Sequence, residues 1–183
     1  VASFFSFRFK GIETPNYKVI KTLGDVEIRE YPQMILAQTK LGGKRYESNG
    51  NNGFGVVANY IFGGNQQQQK IAMTAPVIMN MSDTDASMSF VMPSQYSLAT
   101  LPKPNNPAVQ LREVPAKTWA VLRYSGFNTQ ASIQRHSDEL VAWLAAQKIQ
   151  TTGSPQLARY NPPWTLPMFR RNEIMLEIQY PPN

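Results

Sequence analysis

An internal repeat limits the folds open to this chain more than any other feature of its sequence. Residues 26–43 and 109–126 lie 83 positions apart and are identical at six of 18 positions, including Pro32 and Pro115. Each copy precedes a helical pattern that is followed by strands. We infer two copies of one strand–strand–helix–strand unit related by a pseudo-two-fold axis, and we predict that the two segments form equivalent hairpins; chance similarity of two hairpins is the alternative. The two halves span about residues 17–92 and 109–180.

The 183 residues suit a single domain, residues 1–183, of the α+β class. Alternation from Val26 to Tyr31 predicts a strand, and helical spacing predicts helices over 53–65 and 129–147, the second with a core stripe of Ile133, Leu140, Val141 and Leu144. We expect a distorted β-barrel with both helices packed outside. The other predicted elements are a loop over 42–53, strands over 34–41, 70–81, 87–92, 109–113, 118–124 and 173–180, and an irregular end at Gly153–Pro155 before the loop 160–169.

Composition and charge narrow the class of partner. Hydrophobic residues make up 42% and charged residues 16%, which predicts a soluble globular domain rather than a disordered chain. The net charge of +6 favours anionic partners such as carboxylates, phosphates and membrane surfaces. The basic residues are scattered, with one tight pair at Arg170-Arg171, so we expect no nucleic-acid partner. The chain contains no cysteine, which excludes disulfides, iron–sulfur clusters and thiol catalysis.

Few residues are candidates for catalysis or metal binding. His136 is the single histidine, so a two-histidine metal site is excluded. It lies on the second predicted helix, about 60–80° from the core stripe. There it is either an axial metal ligand that faces a groove or a half-exposed helix residue. No nucleophile elbow, P-loop or dinucleotide fingerprint occurs, and the carboxylates are dispersed, which favours a binding protein over an enzyme.

The first predicted helix has an unusually narrow polar surface. Phe54, Val57, Ala58 and Ile61 fall on one face, and Val56 and Tyr60 form a second apolar edge. We therefore expect one side to pack on the sheet and the other to meet an apolar ligand. The eight methionines are either core filling or the lining of such an apolar pocket.

Three local sequence motifs indicate a protein family more specifically than these patterns do. They are Tyr60–Asn65 followed by Lys70–Val77, Met88–Pro93, and Tyr160–Trp164 with Arg170–Glu173. In this order and at these separations they resemble the SOUL haem-binding protein family. The sequence around residues 60–77 and 160–173 is most similar to that of bacterial members. The resemblance runs from about Glu13 to Tyr180.

The resemblance implies a duplicated distorted barrel that binds haem or another tetrapyrrole in an open apolar groove, as carrier, buffer or sensor. The groove would lie between the first helix and the loop before the last strand. Cations at its rim would bind propionates, with Lys44 and Arg45 as further candidates. The predicted ligand-binding residues are Phe54, Val57, Ala58, Tyr60, Ile61, Lys70, Tyr160, Pro163, Trp164, Phe169, Arg170 and Arg171.

One departure from the family concerns iron. Some members have a histidine ligand before the first helix, and this stretch contains none. The iron then has either no protein nitrogen ligand or a tyrosine such as Tyr60 or Tyr46, with His136 as the other candidate. Alternative functions are a haem-dependent enzyme acting on a lipid-like or peroxide substrate and a small-molecule effector-sensing module.

Location stays open between the bacterial cytoplasm and export to the periplasm. No apolar run approaches the roughly 18–20 residues that span a bilayer. Val1–Phe7 is either the stub of a removed signal or anchor, or an ordinary terminus that packs its phenylalanines.

Overall fold

The computed structural model of the chain describes residues 11–42, 46–162 and 164–182, without the side chains of residues 46–51. Nine strands and two α-helices make up this part of the chain. The elements are β1 (Lys18–Leu23), β2 (Val26–Tyr31), β3 (Met34–Lys40), α1 (Tyr46–Ile61), β4 (Val77–Asn80), β5 (Ser87–Val91), β6 (Gln110–Val114), β7 (Lys117–Tyr124), α2 (Gln130–Ala146), β8 (Thr151–Arg159), a 3₁₀ turn (Pro167–Phe169) and β9 (Asn172–Ile178).

All described strands join one curled antiparallel half-barrel in the order β1-β2-β7-β9-β8-β4-β5-β3-β6. If β6, β7, β8 and β9 are taken as the repeats of β2, β3, β4 and β5, this order reads the same from both ends once β1 is set aside. The pseudo-two-fold axis therefore passes between β4 and β8, and the predicted α+β duplication is confirmed. Each half is a strand–strand–helix–strand–strand unit, one strand longer than predicted.

The two repeated segments are equivalent, but the prediction that they are hairpins is wrong. β2 pairs with β7 from Val26↔Leu122 to Tyr31↔Lys117, and β3 pairs with β6 from Met34↔Val114 onward. The two ladders keep one continuous register, so the segments form a single long ladder that bends at Pro32 and Pro115. Proline cannot donate to a ladder, which explains why the bend falls there.

Two predicted elements have different boundaries in the structure, and one strand was missed. The helix predicted over 53–65 is α1, which begins at Tyr46 in the predicted loop and ends at Ile61. The strand predicted over 70–81 shortens to β4. β8 was missed because it contains Gly153 and Pro155, which the sheet accommodates at a register shift between Thr152 and Gln156.

Both helices pack on one face of the sheet and share its main core. Thr129 caps α2 by accepting a hydrogen bond from the Ser132 amide at 3.1 Å. Of the predicted α2 stripe, Val141 is exposed and the other three residues are buried. The opposite face of the sheet carries a second cluster that includes Tyr31, Trp119, Tyr160 and Met175. Neither described helix is long and apolar enough to cross a bilayer.

Candidate ligand-binding surface

The segment between β8 and β9 exposes large apolar side chains. Trp164 is 82% exposed, and Met168 and Phe169 are each 69% exposed. Leu166, and Phe127 from the turn after β7, are also mostly exposed. Several large apolar side chains exposed in one loop and the turn beside it usually mark an interaction site. We call Phe127, Trp164, Leu166, Met168 and Phe169 the loop patch.

Backbone hydrogen bonds hold the loop patch together. The Phe169 amide donates to the Leu166 carbonyl at 2.9 Å, which closes the 3₁₀ turn. The Gly126 amide donates to the Pro167 carbonyl at 2.8 Å, which brings the turn carrying Phe127 against the loop. Gly126 has φ +103°, a conformation that a side chain would strain.

Arg170 and Arg171 point in opposite directions because the chain is extended here. Arg170 has φ −73° and ψ 136°. Its guanidinium lies 5.5 Å from the Phe127 ring centroid, and Nε donates to the Thr165 carbonyl at 2.8 Å. Arg171 instead donates through Nη2 to Tyr17 at 2.9 Å and to Glu173 at 3.0 Å. Only Arg170 of the predicted pair therefore borders the loop patch.

Glu173 is the centre of a buried ionic cluster on the helix-free face. Arg29 donates to its two carboxylate oxygens at 2.9 and 2.8 Å, while Arg29 Nε donates to Glu27 at 2.7 Å. Glu173 is fully buried, and burial raises the pKa of its carboxyl. The hydrogen bonds and charges of Arg29 and Arg171 outweigh burial and hold this pKa below its usual range. The ionised pair is thus a fixed part of the fold.

Tyr160 belongs to this cluster rather than to the loop patch. The Arg171 guanidinium lies 3.8 Å from its ring centroid. Burial, followed by the charge of Glu173, raises the pKa of its hydroxyl well above the usual value. This hydroxyl is buried and has no hydrogen-bond partner among the described residues.

The predicted α1 wall lies mostly in the core. Val57, Ala58, Tyr60 and Ile61 are buried in the main cluster, Tyr60 with 1% exposure. The Tyr60 hydroxyl donates to the Pro102 carbonyl at 2.7 Å, and burial raises its pKa to about 12. Iron ligation by tyrosinate would require both the loss of this proton and the loss of this hydrogen bond.

Phe54 and Lys70 are the predicted residues near α1 that stay exposed. Phe54 packs partly against Phe90, with ring centroids 5.3 Å apart. Lys70 forms an isolated β-bridge with Phe62, another mostly exposed aromatic residue at the end of α1.

His136 is half-buried on α2 and stacks on Tyr124 with ring centroids 3.7 Å apart. Its Nδ1 lies 2.7 Å from the Ser132 carbonyl oxygen. Since a carbonyl only accepts, Nδ1 is the donor in this contact.

Several candidates fall outside what the structure describes. Lys44, Arg45 and Pro163 lie outside the described residues, as does the side chain of Tyr46. Within the described ranges, no three His, Asp or Glu side chains are grouped as metal ligands.

Sequence reasoning missed Phe127 and the partnership of Arg29 with Glu173. A signal for both was present in the repeat, since Gly126 and Arg29 are among its identical positions. The loop residues Trp164, Phe169 and Arg170 were predicted and lie together, whereas Tyr160 and Arg171 lie on the other side of the chain.

Sequence comparison gives one family and several relatives. The family model described as "SOUL heme-binding protein" matches residues 12–177. "Heme-binding protein 1" of Xenopus laevis is 27% identical over 155 residues, covering 81% of this chain and 80% of that protein. "Heme-binding protein 2" of Homo sapiens is 27% identical over 179 residues, covering 91% and 86%.

Structural comparison shows the same fold in a protein of much lower identity. The C-terminal domain of EcmrR superposes with a TM-score of 0.65 at 13% identity, covering 90% of this chain and 98% of that domain. At this identity the likeness concerns the fold alone.

Proposed function

Because the chain belongs to the SOUL heme-binding protein family, we propose that it binds haem or a related tetrapyrrole and that the loop patch carries the macrocycle. The observation on which this rests is the exposure of five large apolar side chains in and beside one loop. Exposure of such a surface to water costs free energy, and a flat apolar ligand would remove it from water.

The described residues fit the organic part of a tetrapyrrole. Burial of apolar area is worth roughly 25 cal/mol per Å², and aromatic side chains stack well on a flat macrocycle. Propionates require a cation beside that surface, and Arg170 supplies one next to Phe127. When bound, haem would add the chemistry of its iron. The protein would supply the apolar surface and the cation.

We place the second wall of the groove at the exposed edge of α1. Phe54 and Phe62 are the exposed aromatic residues there, and Lys70 beside Phe62 is a second cation for propionates. In the sheet, β4 lies between β8, which leads into the loop, and β5, on which α1 packs. The groove would cross this span.

The role that we propose is a carrier, buffer or sensor. The side chains of the loop patch are apolar, so they neither donate nor accept a proton. Binding through such a surface needs no reaction at the protein, and its openness favours exchange of the ligand.

Titration followed by absorbance tests the proposal. A Trp164→Ser/Phe169→Ser double variant should bind haem and protoporphyrin at least tenfold more weakly than wild type, about 1.4 kcal/mol. A Val141→Ser/Leu98→Ser variant also loses two exposed apolar side chains, away from the loop patch, and should bind normally.

A charge variant separates the two parts of the proposed site. Arg170→Gln should weaken protoporphyrin more than its dimethyl ester, because only the free acid presents charge. If wild type binds no tetrapyrrole, the proposed function is wrong. If both double variants bind as wild type does, the ligand lies elsewhere.

A further inference from the structure

The pseudo-two-fold axis relates the buried Arg29–Glu173 pair to an open cavity on the other side of the sheet. Arg112 follows Arg29 by 83 residues, the offset of the repeat. Lys40 of β3 pairs with Ser87 of β5. The residue equivalent to Lys40 in the second repeat is Arg123 of β7, and it pairs with Glu173 of β9. Ser87 thus stands where Glu173 stands. The arginine is kept in both halves, and the carboxylate is not.

The second acid of the cluster is also replaced. Arg29 Nε binds Glu27, and the residue 83 positions after Glu27 is Gln110. Both groups that neutralise Arg29 therefore correspond to neutral hydrogen-bonding side chains around Arg112. In the described part of the chain, no hydrogen bond or ion pair engages the Arg112 guanidinium.

A cavity of about 320 Å³ is lined by Ser87, Gln110 and Arg112, the counterparts of Glu173, Glu27 and Arg29. This volume lies at the small end of the range for small-molecule sites. The polar and charged residues that line it are Gln38, Thr39, Lys40, Asp85, Ser87, Gln110 and Arg112. Gln38 donates to the Ser87 hydroxyl at 2.7 Å, which orients both groups at the wall.

The charge balance of the cavity is positive. Lys40 Nζ and Asp85 Oδ1 lie 3.9 Å apart at the exposed edge of the cavity, so their charges offset one another. The positive charge of Arg112 is then the one that remains. A guanidinium binds a carboxylate through two parallel hydrogen bonds, as Arg29 does with Glu173 at 2.9 and 2.8 Å.

We propose that this cavity is a second binding site, distinct from the loop patch, for a small organic carboxylate that Arg112 holds as Arg29 holds Glu173. The side chains of Gln38, Gln110 and Ser87 would bind hydroxyl or carbonyl groups of the same ligand. The site lies between β3, β5 and β6, in the half of the sheet opposite to Glu173.

Nuclear magnetic resonance of the full chain tests this with acetate, succinate and benzoate as probes and succinamide as the uncharged match. At least one carboxylate should shift the Arg112 Nε–H and the Gln38 and Gln110 side-chain amides saturably, and succinamide should not. Arg112→Gln should weaken that binding at least tenfold. Arg135→Gln, which removes an exposed arginine on α2, should leave it unchanged.

Ser87→Glu supplies the carboxylate from within the chain and should abolish binding of the probe. If this variant fails to fold, Arg112→Gln decides. The proposal is overturned if none of the three carboxylates gives a saturable shift. It is also overturned if Arg112→Gln binds as wild type does, or if Arg135→Gln loses as much. Tetrapyrrole titrations do not enter this test, so its outcome is independent of the proposed function.

Discussion

At the scale of residues, two neighbouring arginines have different roles because an extended backbone points their side chains in opposite directions. Arg170 borders the loop patch, whereas Arg171 joins Glu173 and Tyr17 in the buried cluster. Sequence alone identified the pair as a source of positive charge for a ligand. Sequence alone could not show that only Arg171 joins a buried carboxylate, because Glu173 is fully buried only once β2, β7 and β9 have assembled.

Glu173→Gln tests the buried cluster. The folded-state pKa of Glu173 lies below its usual value near 4.3, so its ionisation stabilises the fold above that pH. This stabilisation is lost as pH falls through the folded-state pKa. The variant leaves Arg29 without its charged partner. We expect the free energy of unfolding of the variant to fall by about 3–5 kcal/mol at pH 7.

Urea unfolding at pH 7 and pH 3 checks this expectation, and the gap between wild type and variant should narrow at pH 3. Glu177→Gln on the same strand is the control, since its ion pair with Lys117 is partly exposed and worth about 1 kcal/mol or less. Equal losses in both variants would contradict a special role for Glu173.

His136→Ala should leave the haem Soret band nearly unchanged. His136 lies on α2, where its ring stacks on Tyr124, and it is not one of the five side chains proposed to carry the macrocycle. Loss of the stack should cost about 1 kcal/mol of stability. Absorbance titration and thermal unfolding measure the two effects separately. A folded variant without a Soret band would identify His136 as an iron ligand.

At the scale of elements, tertiary packing accounts for most departures from the sequence pattern. α2 shows a clear helical period and was predicted within a residue at each end. α1 packs on β3 and β5 and begins at Tyr46, within a segment whose glycines and asparagines predicted a loop. β8 contains Gly153 and Pro155, so no local pattern could reveal a strand that a register shift makes possible.

Two glycines near the end of α1 should respond oppositely to alanine. A Cβ at Gly64 would lie 2.6 Å from the Asn59 carbonyl oxygen, so Gly64→Ala should cost about 1–3 kcal/mol. A Cβ at Gly55 meets nothing within 4 Å, so Gly55→Ala should stabilise the helix by about 0.5–1 kcal/mol. Chemical denaturation of both variants checks this. A neutral Gly64→Ala would contradict the close approach of the turn to Asn59.

At the scale of the whole molecule, the repeat is the feature that the sequence predicted best. The offset of 83 relates β2 and β3 to β6 and β7, and the ladders preserve it. The pairing of each copy with the other, rather than with itself, could not be read from sequence, because a proline turn between two strands suits a hairpin equally well. The two sides of the sheet about the pseudo-two-fold axis are unequal, and each contains strands from both repeats. One side holds the buried Glu173 cluster and the exposed loop patch, and the other holds the cavity at Arg112.

The central claim is that a tetrapyrrole binds on the loop patch, and ring-current shifts measured by nuclear magnetic resonance test it most directly. Zinc protoporphyrin is diamagnetic, so its ring shifts the signals of protons close to its faces without paramagnetic broadening. We predict the largest shifts at residues 126–127 and 164–170, smaller shifts at Phe54, Phe62 and Lys70, and none around Arg112. Shifts that spare 164–170 in a protein that binds the porphyrin would contradict the account.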